Sequence, residues 1–250
     1  MSPAPAFSNI HAMTLFRGLL VCCAAVLVVA CDRAETRQPE AVAAEQRGDA
    51  LVRAVHAVPY GSAMDIFAGD LVAFDGVAFK AVTRYRALDG KRYAFAMRPA
   101  GMTNAKALSS NTEGLEDGHY YTVFAMPDAD RGARLRVVDD ARTSPAQGRS
   151  RLRIAHAGDG AGRIDVVAGG GTLFDGVAFQ DVTNYQDVAP LNGVIDIRPA
   201  GGSTAIVTLP NAHLEAGRFY TLVIVGSTQS AAAPEAFIIE DALDPPTTTR

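Results

Sequence analysis

The amino-acid sequence predicts an all-β protein built from two copies of one domain. Short segments of alternating apolar and polar residues are separated by turn residues roughly every ten positions, which is typical of β-strands. No stretch carries the long apolar periodicity of an amphipathic helix. The second half of the chain repeats the first at an interval of about 100 residues, the size of one domain. Two tandem antiparallel β-sandwiches of seven strands each are therefore predicted.

Composition supports a folded protein and excludes several partners. The chain has 250 residues, of which 48% are apolar and 20% charged, values that are ordinary for a protein with a packed core. The net charge of −4 argues against a nucleic-acid partner, which needs a basic face. All three cysteines precede residue 32, so the repeats have no disulfide framework.

The N-terminus predicts export and lipid attachment. Arg17 precedes the apolar run Leu19–Ala30, which is too short for a comfortable membrane span and has the form of a secretory signal. The end of this run, Leu27-Val28-Val29-Ala30-Cys31, resembles the bacterial lipobox. That resemblance implies a signal peptide over 1–30 and a lipid on Cys31, although an ordinary signal peptide or an uncleaved anchor would also fit.

Residues 31–50 are predicted to be the lipidated cysteine and a polar tether. The lipid would hold the protein to a membrane. The expected location is therefore the bacterial cell envelope, on the exported side of the membrane, either periplasmic or facing the surface.

The duplication sets the domain boundaries. Phe74–Phe79 recurs as Phe174–Phe179, and the turn Arg98–Gly101 recurs as Arg198–Gly201. The predicted order is repeat 1 (51–141), linker (142–151), repeat 2 (152–243) and tail (244–250). Because the linker is polar and contains Pro and Gly, a loose connection between the repeats is expected.

Each repeat is predicted to contribute seven strands. In repeat 1 these are 52–57, 63–68, 77–85, 92–98, 103–108, 119–126 and 134–139. In repeat 2 they are 152–157, 163–168, 177–185, 193–198, 203–209, 218–225 and 235–240.

One motif near the end of each repeat indicates the kind of sandwich. The pattern Leu-x-x-Gly-x-x-Tyr resembles the tyrosine corner of immunoglobulin-like sandwiches, in which a Tyr hydroxyl bonds to the backbone of the preceding loop. An ordinary hairpin with an aromatic strand is the alternative. The residues are Leu115, Gly118 and Tyr121, and Leu214, Gly217 and Tyr220.

Several motifs together resemble a known family. They are the strand–His–Ala opening, the Asp of the second strand, the Pro-Ala-Gly turn and the Leu-x-x-Gly-x-x-Tyr-Thr strand. As a set, in both repeats, they are similar to domain of unknown function 4397, found as tandem copies in bacterial secreted and cell-surface proteins. The resemblance implies a fold and a location, and it implies no reaction.

The repeated histidines are the candidate site residues. His56 stands nine residues before Asp65, and His156 nine before Asp165. If a tight hairpin joined the two strands, each pair would face each other on one side of the sheet. A carboxylate holding a histidine is half of a base-catalysis arrangement, but no nucleophile motif completes it. The pairs could be structural, with the carboxylate serving an inward-pointing imidazole, or they could contact a ligand.

These observations predict a function without a reaction. No catalytic residue or cofactor is predicted, because no motif indicates a reaction. No metal site is predicted, because one His and one Asp per repeat are too few for a zinc site. We expect a non-enzymatic envelope lipoprotein that acts as a binding or structural interaction module toward an unknown envelope protein or cell-wall partner. The loops that are least alike between the repeats would determine how the partners of the two repeats differ. They are Val58–Ser62 against Gly158–Gly162 and Ser109–Gly114 against Thr208–His213. The alternative is a small-molecule or metal-binding sensor using the His/Asp pairs, with a hydrolase ranked below both.

Overall fold

The structure is a computed structural model that describes residues 48–60, 62–128, 131–140, 143–228 and 233–241. The predicted signal peptide, Cys31, most of the tether and the tail 244–250 lie outside these residues. Among the described residues no helix of the length and apolarity needed to cross a membrane occurs.

The described residues form two sandwiches of eight strands each, which confirms the predicted all-β tandem architecture. The first sandwich comprises β1 (Ala50–His56), β2 (Met64–Ala68), β3 (Leu71–Val77), β4 (Arg86–Leu88), β5 (Arg92–Pro99), β6 (Ser109–Gly114), β7 (Tyr120–Pro127) and β8 (Ala133–Asp139). The second comprises β9 (Ser150–His156), β10 (Ile164–Ala168), β11 (Gly171–Val177), β12 (Gln186–Val188), β13 (Leu191–Pro199), β14 (Val207–Leu214), β15 (Phe219–Val225) and β16 (Glu235–Asp241).

Each sandwich consists of two four-stranded sheets. In the first, the sheets have the orders β4-β1-β7-β8 and β3-β2-β5-β6; in the second, the orders are β12-β9-β15-β16 and β11-β10-β13-β14. Most neighbouring strands are antiparallel, as expected. The exceptions are β1 with β7 and β9 with β15, which are parallel pairs. The first strand of each repeat therefore pairs with the strand that contains the tyrosine of the motif, and it does not pair with the second strand.

The strands differ from the prediction in three respects. Each sandwich has eight strands and not seven, because the short strands β4 and β12 were not predicted. The predicted strand 77–85 is wrong. The third strand is β3, which ends at Val77, and residues 78–85 form an irregular segment before the short β4. The predicted strand 103–108 is also displaced, since β6 begins at Ser109; the same shifts occur in the second repeat. The supposed loop Ser109–Gly114 is thus an edge strand paired to β5.

Alternation along β1 and β7 divides their side chains between two different cores. One face packs inside the first sandwich and includes Val52, Ala54 and Val123. The opposite face is just as buried, and all residues of both strands are shielded from water. Strands covered on both faces need a second layer, and here that layer is the other sandwich.

The two sandwiches pack together through the sheets that contain β1 and β9. Two hydrophobic clusters draw residues from both repeats. One contains Val55 and Phe124 with Ala155 and Val223. The other joins three tyrosines with Leu51 of the first repeat and Phe219 of the second. The loose connection expected from the linker composition is therefore wrong, because the linker composition carries no information about the apolar faces it brings together.

Candidate functional site

The two tyrosine motifs adopt the same geometry. The backbone N–H of Glu116 donates a hydrogen bond of 3.0 Å to the hydroxyl of Tyr121, and Glu215 does the same to Tyr220. Gly118 and Gly217 have φ values of +74° and +82°, a backbone region that favours glycine. Leu115 and Leu214 are buried beneath the turn. Each motif thus fixes the loop that enters β7 or β15.

His156 is a buried, neutral histidine held by backbone groups. Its Nδ1 accepts a hydrogen bond of 3.2 Å from the N–H of Gly158, so Nε2 carries the proton and donates to the carbonyl of Gly162 at 2.9 Å. Phe179 lies edge-on to the ring. Burial lowers the pKa of His156 below its ordinary value.

His56 has the same environment with one difference. Its Nδ1 accepts from the N–H of Val58, and Phe79 lies edge-on to the ring. Its Nε2 is buried and makes no hydrogen bond of normal geometry. Burial again lowers the pKa, although the backbone of the loop at Ser62 partly opposes the effect. In the second repeat the histidine therefore holds its loop through hydrogen bonds at both ring nitrogens, whereas in the first repeat only Nδ1 makes such a bond.

Asp65 and Asp165 connect two turns in each sandwich. The two carboxylate oxygens of Asp65 accept hydrogen bonds from the N–H groups of Gly76 (2.7 Å) and Gly101 (2.8 Å). Asp165 makes the same bonds with Gly176 and Gly201 at the same distances. These backbone donors lower the pKa of Asp165.

The predicted His/Asp pairing is wrong. His56 lies on β1 and Asp65 on β2, and these strands belong to opposite sheets; the same holds for His156 on β9 and Asp165 on β10. The nine-residue spacing suggested a hairpin, but the connection crosses from one sheet to the other. Each of the four side chains hydrogen-bonds to backbone groups of a loop or turn, so neither of the two predicted pairs is assembled.

The polar cluster that the structure does assemble lies between the two sandwiches. Arg53 of the first sandwich pairs with Asp241 of the second. Arg153 of the second pairs with Asp140 of the first at 2.6 Å. All four side chains are at most 3% exposed. The pairs therefore cross the interface in opposite directions and are related by the repeat.

A threonine and a tyrosine complete each half of this network. Thr122 accepts a hydrogen bond from Arg53 Nε (2.9 Å) and donates to Asp140 (2.7 Å). Tyr85 donates to the same carboxylate at 2.8 Å, and its ring lies 4.9 Å from the Arg53 guanidinium carbon. Thr221 and Tyr185 repeat these contacts with Arg153 and Asp241. We call these eight residues the crossed network: Arg53, Tyr85, Thr122, Asp140, Arg153, Tyr185, Thr221 and Asp241.

Mutual electrostatics keep the network charged. Burial alone would lower the pKa of Arg53, but the carboxylates of Asp241 and Asp140 raise it well above its ordinary value. Burial would raise the pKa of Asp241, and the guanidinium groups of Arg53 and Arg153 more than offset this, so it lies below its ordinary value. Both tyrosines stay protonated, because burial and the neighbouring carboxylates raise each pKa.

The network was missed in the sequence although its signal is present. Arg53 interrupts the apolar strand Val52–Val55, and Arg153 interrupts its counterpart at the same position. A charge repeated inside an apolar strand indicates a buried partner, since unpaired charges are rarely buried. The partners could not be assigned because they lie on the other repeat.

Further polar contacts surround the crossed network. Lys80 pairs with Glu235 at 2.8 Å, and Arg136 lies 3.7 Å from Asp181. The Gln180 amide donates to the carbonyl of Pro127 and to Asp128. Each contact joins the first repeat to the second, so the interface has an apolar and ionic centre with a polar rim.

A pocket of about 510 Å³ lies at one end of the first sandwich. It is formed near the ends of β1 and β5 and the starts of β2, β6 and β8. The loop Val58–Ser62, one of the segments least alike between the repeats, contributes to its wall. Over the described ranges no group of three or more His, Cys, Asp or Glu side chains is arranged to hold a metal ion.

Comparison with known proteins agrees with the duplicated architecture. A search of curated proteins finds no match. The family model described as "Domain of unknown function (DUF4397)" matches twice, over residues 50–167 and 154–250. Together the two matches cover both sandwiches and most of the chain. The chain therefore belongs to the family of domain of unknown function 4397, which it carries as tandem copies.

Proposed function

We propose that this chain is a non-enzymatic, lipid-anchored protein of the bacterial cell envelope, whose two sandwiches act as one interaction module. The observation that carries this proposal is the crossed network. It joins the repeats into a single compact body, whereas independent domains would each keep a solvated sheet face. A body of this kind presents loops at fixed relative positions to a partner.

The polar residues that the repeats share support the same proposal. His56, Asp65 and their counterparts hold loops and turns through backbone groups, and the crossed network holds the two sandwiches together. Repeated residues thus maintain the fold. Binding specificity is then left to segments that differ between the repeats, above all Val58–Ser62.

Anchoring is proposed on the sequence alone. The lipobox-like ending at Cys31 would attach the chain to lipid, and the polar tether would separate the module from the membrane surface. The partner we propose is an envelope protein or a cell-wall component on the exported side.

Crosslinking in the native envelope tests this function. The full chain and its Cys31→Ala variant are crosslinked in cells and purified under denaturing conditions. We expect a discrete partner with the anchored chain and loss of that partner, together with loss of membrane fractionation, for Cys31→Ala. Identical fractionation and identical products for both forms would contradict the proposal.

A loop exchange identifies the binding surface in the same assay. Residues Val58–Ser62 are replaced by the sequence of Gly158–Gly162, and the matched control exchanges Leu71–Asp75 for Gly171–Asp175 on an outer strand. The first variant is expected to lose the partner and the control to keep it. If both keep it, the differing loop is not the binding surface.

A further inference from the structure

The pocket of the first sandwich has an apolar interior with one cationic group at its edge. Its walls include Val58, Met64, Pro99 and Leu108, together with the ring of Tyr60. Val58 and Met64 are buried, while Leu108 is 50% exposed at the mouth. Arg131 also lines the pocket and is exposed. The volume of about 510 Å³ lies within the range of small-molecule sites.

The loop residues that line this pocket are not kept in the second repeat. Val58, Tyr60 and Ser62 correspond to Gly158, Gly160 and Gly162. In the second repeat the imidazole of His156 holds the carbonyl of Gly162, and the small Ala161 packs against the core. The first repeat has larger side chains and lacks that hydrogen bond. The pocket is therefore a feature that distinguishes one repeat from the other.

The polar groups at the pocket are arranged around a fixed aromatic wall. The Tyr60 hydroxyl is directed at the carbonyls of Asp128 (3.2 Å) and Gly132 (3.1 Å), which orients its ring. The Arg131 guanidinium carbon lies 5.7 Å from the centre of that ring. Among the described residues Arg131 pairs with no carboxylate, in contrast to Arg134, which pairs with Asp128 at 3.3 Å.

Arg131 also has an unusual backbone conformation. Its φ of +58° lies in the left-handed region, which L side chains rarely adopt. Backbone strain of this kind is concentrated at active sites and ligand-binding sites. Here it coincides with a guanidinium at the mouth of an apolar cavity.

We propose that this pocket binds a small apolar monocarboxylate. The apolar body of the ligand lies between Tyr60, Met64 and Leu108, and its carboxylate pairs with Arg131 at the mouth. A guanidinium matches a carboxylate through two parallel N–H···O bonds, and such charge-assisted bonds are stronger than neutral ones. Binding of the carboxylate is additional to the proposed binding of an envelope partner, and it does not depend on the lipid anchor.

Calorimetric titration with 4-phenylbutyrate tests the proposal, with 4-phenylbutanamide as the neutral isostere. The purified full chain is titrated with both compounds at the same detergent concentration. We expect the acid to bind with a dissociation constant of about 1 mM or below, the value that a ligand of its size reaches at ordinary efficiency. The amide is expected to bind about tenfold more weakly.

Two arginine variants make the test specific. Arg131→Gln is expected to weaken the acid about tenfold and to leave the amide unchanged, whereas Arg134→Gln, a matched exposed arginine on β8, should change neither. Tyr60→Gly, which introduces the residue of the second repeat, should weaken both compounds. Equal binding of acid and amide, no effect of Arg131→Gln, or no binding of the acid at 10 mM would each overturn the proposal. None of these results depends on whether the envelope partner is found.

Discussion

At the scale of single residues, the two buried histidines show how burial makes stability depend on pH. His56 and His156 are at most 1% exposed, and burial lowers the pKa of both. The unfolded chain therefore takes up protons at a pH at which the folded chain does not. Between the folded and unfolded pKa values the free energy of unfolding decreases as the pH falls, and above the unfolded pKa of about 6.5 the full stability is present.

We therefore predict that acidification below the ordinary histidine pKa weakens the fold. The urea midpoint of the full chain should be constant from pH 8 to 7 and should fall from pH 6.5 to 5. Each histidine contributes at most about 1.4 kcal/mol per pH unit to the slope of the free energy of unfolding against pH. His156→Gln should reduce the slope, because it removes one of the two buried imidazoles whose pKa burial lowers. Equal slopes in the wild type and His156→Gln would contradict the assignment.

At the scale of elements, a bulge in β3 and its copy in β11 connects the aspartates to the strand register. The pairing of β2 with β3 shifts where Asp75 and Gly76 lie, and β11 shifts at the equivalent place. Gly76 has a φ of +58°, and its N–H donates to Asp65. The extra residue turns this N–H toward the carboxylate, which also holds the Pro-Ala-Gly turn.

Replacement of the bulge glycine should therefore cost stability through backbone strain alone. Gly76→Ala introduces a Cβ that meets no atom within 4 Å but must adopt a positive φ. We expect a loss of about 1–2 kcal/mol in the free energy of unfolding. Gly114→Ala is the control, because its Cβ is equally free of contacts and its φ is not positive. Equal effects of the two substitutions in chemical denaturation would show that φ is not the cause.

The sequence predicted the number, class and order of the domains, since these follow from the repeat and from period-two patterning. It misplaced the strand at 77–85 because Phe79 and Tyr85 alternate with polar residues as a strand would. In the structure these side chains pack into the clusters shared by the two repeats. These residues are apolar because they pack against the other sandwich, a contact that the local sequence pattern does not reveal. The parallel pairing of β1 with β7 is likewise long-range, and missing it produced the incorrect His/Asp pairs.

At the scale of the whole molecule, the crossed network turns two domains into one body. Each arginine is buried against a carboxylate of the other repeat, so neither half satisfies its own charges. Removing one partner of such a pair leaves an uncompensated buried charge, which typically costs about 3–5 kcal/mol. Replacing both partners by apolar residues removes this penalty and is often close to neutral.

A double-mutant cycle across the interface should show this coupling. Arg53→Met and Asp241→Leu are each expected to lower the free energy of unfolding by about 3–5 kcal/mol, and the double variant should recover most of the loss. The exposed pair Lys80 and Glu235 also crosses the interface and serves as the control, with an expected coupling below about 1 kcal/mol. Additive losses for Arg53 and Asp241 in urea denaturation would contradict a direct pairing.

The measurement that tests the single-body account most directly is scanning calorimetry of the full chain and its Tyr121→Phe variant. Tyr121 lies in the tyrosine motif of the first sandwich and takes no part in the crossed network. Loss of its hydroxyl should cost about 1 kcal/mol. If the sandwiches unfold together, the wild type shows one transition with equal calorimetric and van't Hoff enthalpies, and the variant shifts that whole transition down by about 2–4 °C. Two transitions, of which Tyr121→Phe moves only one, would show that the domains are independent.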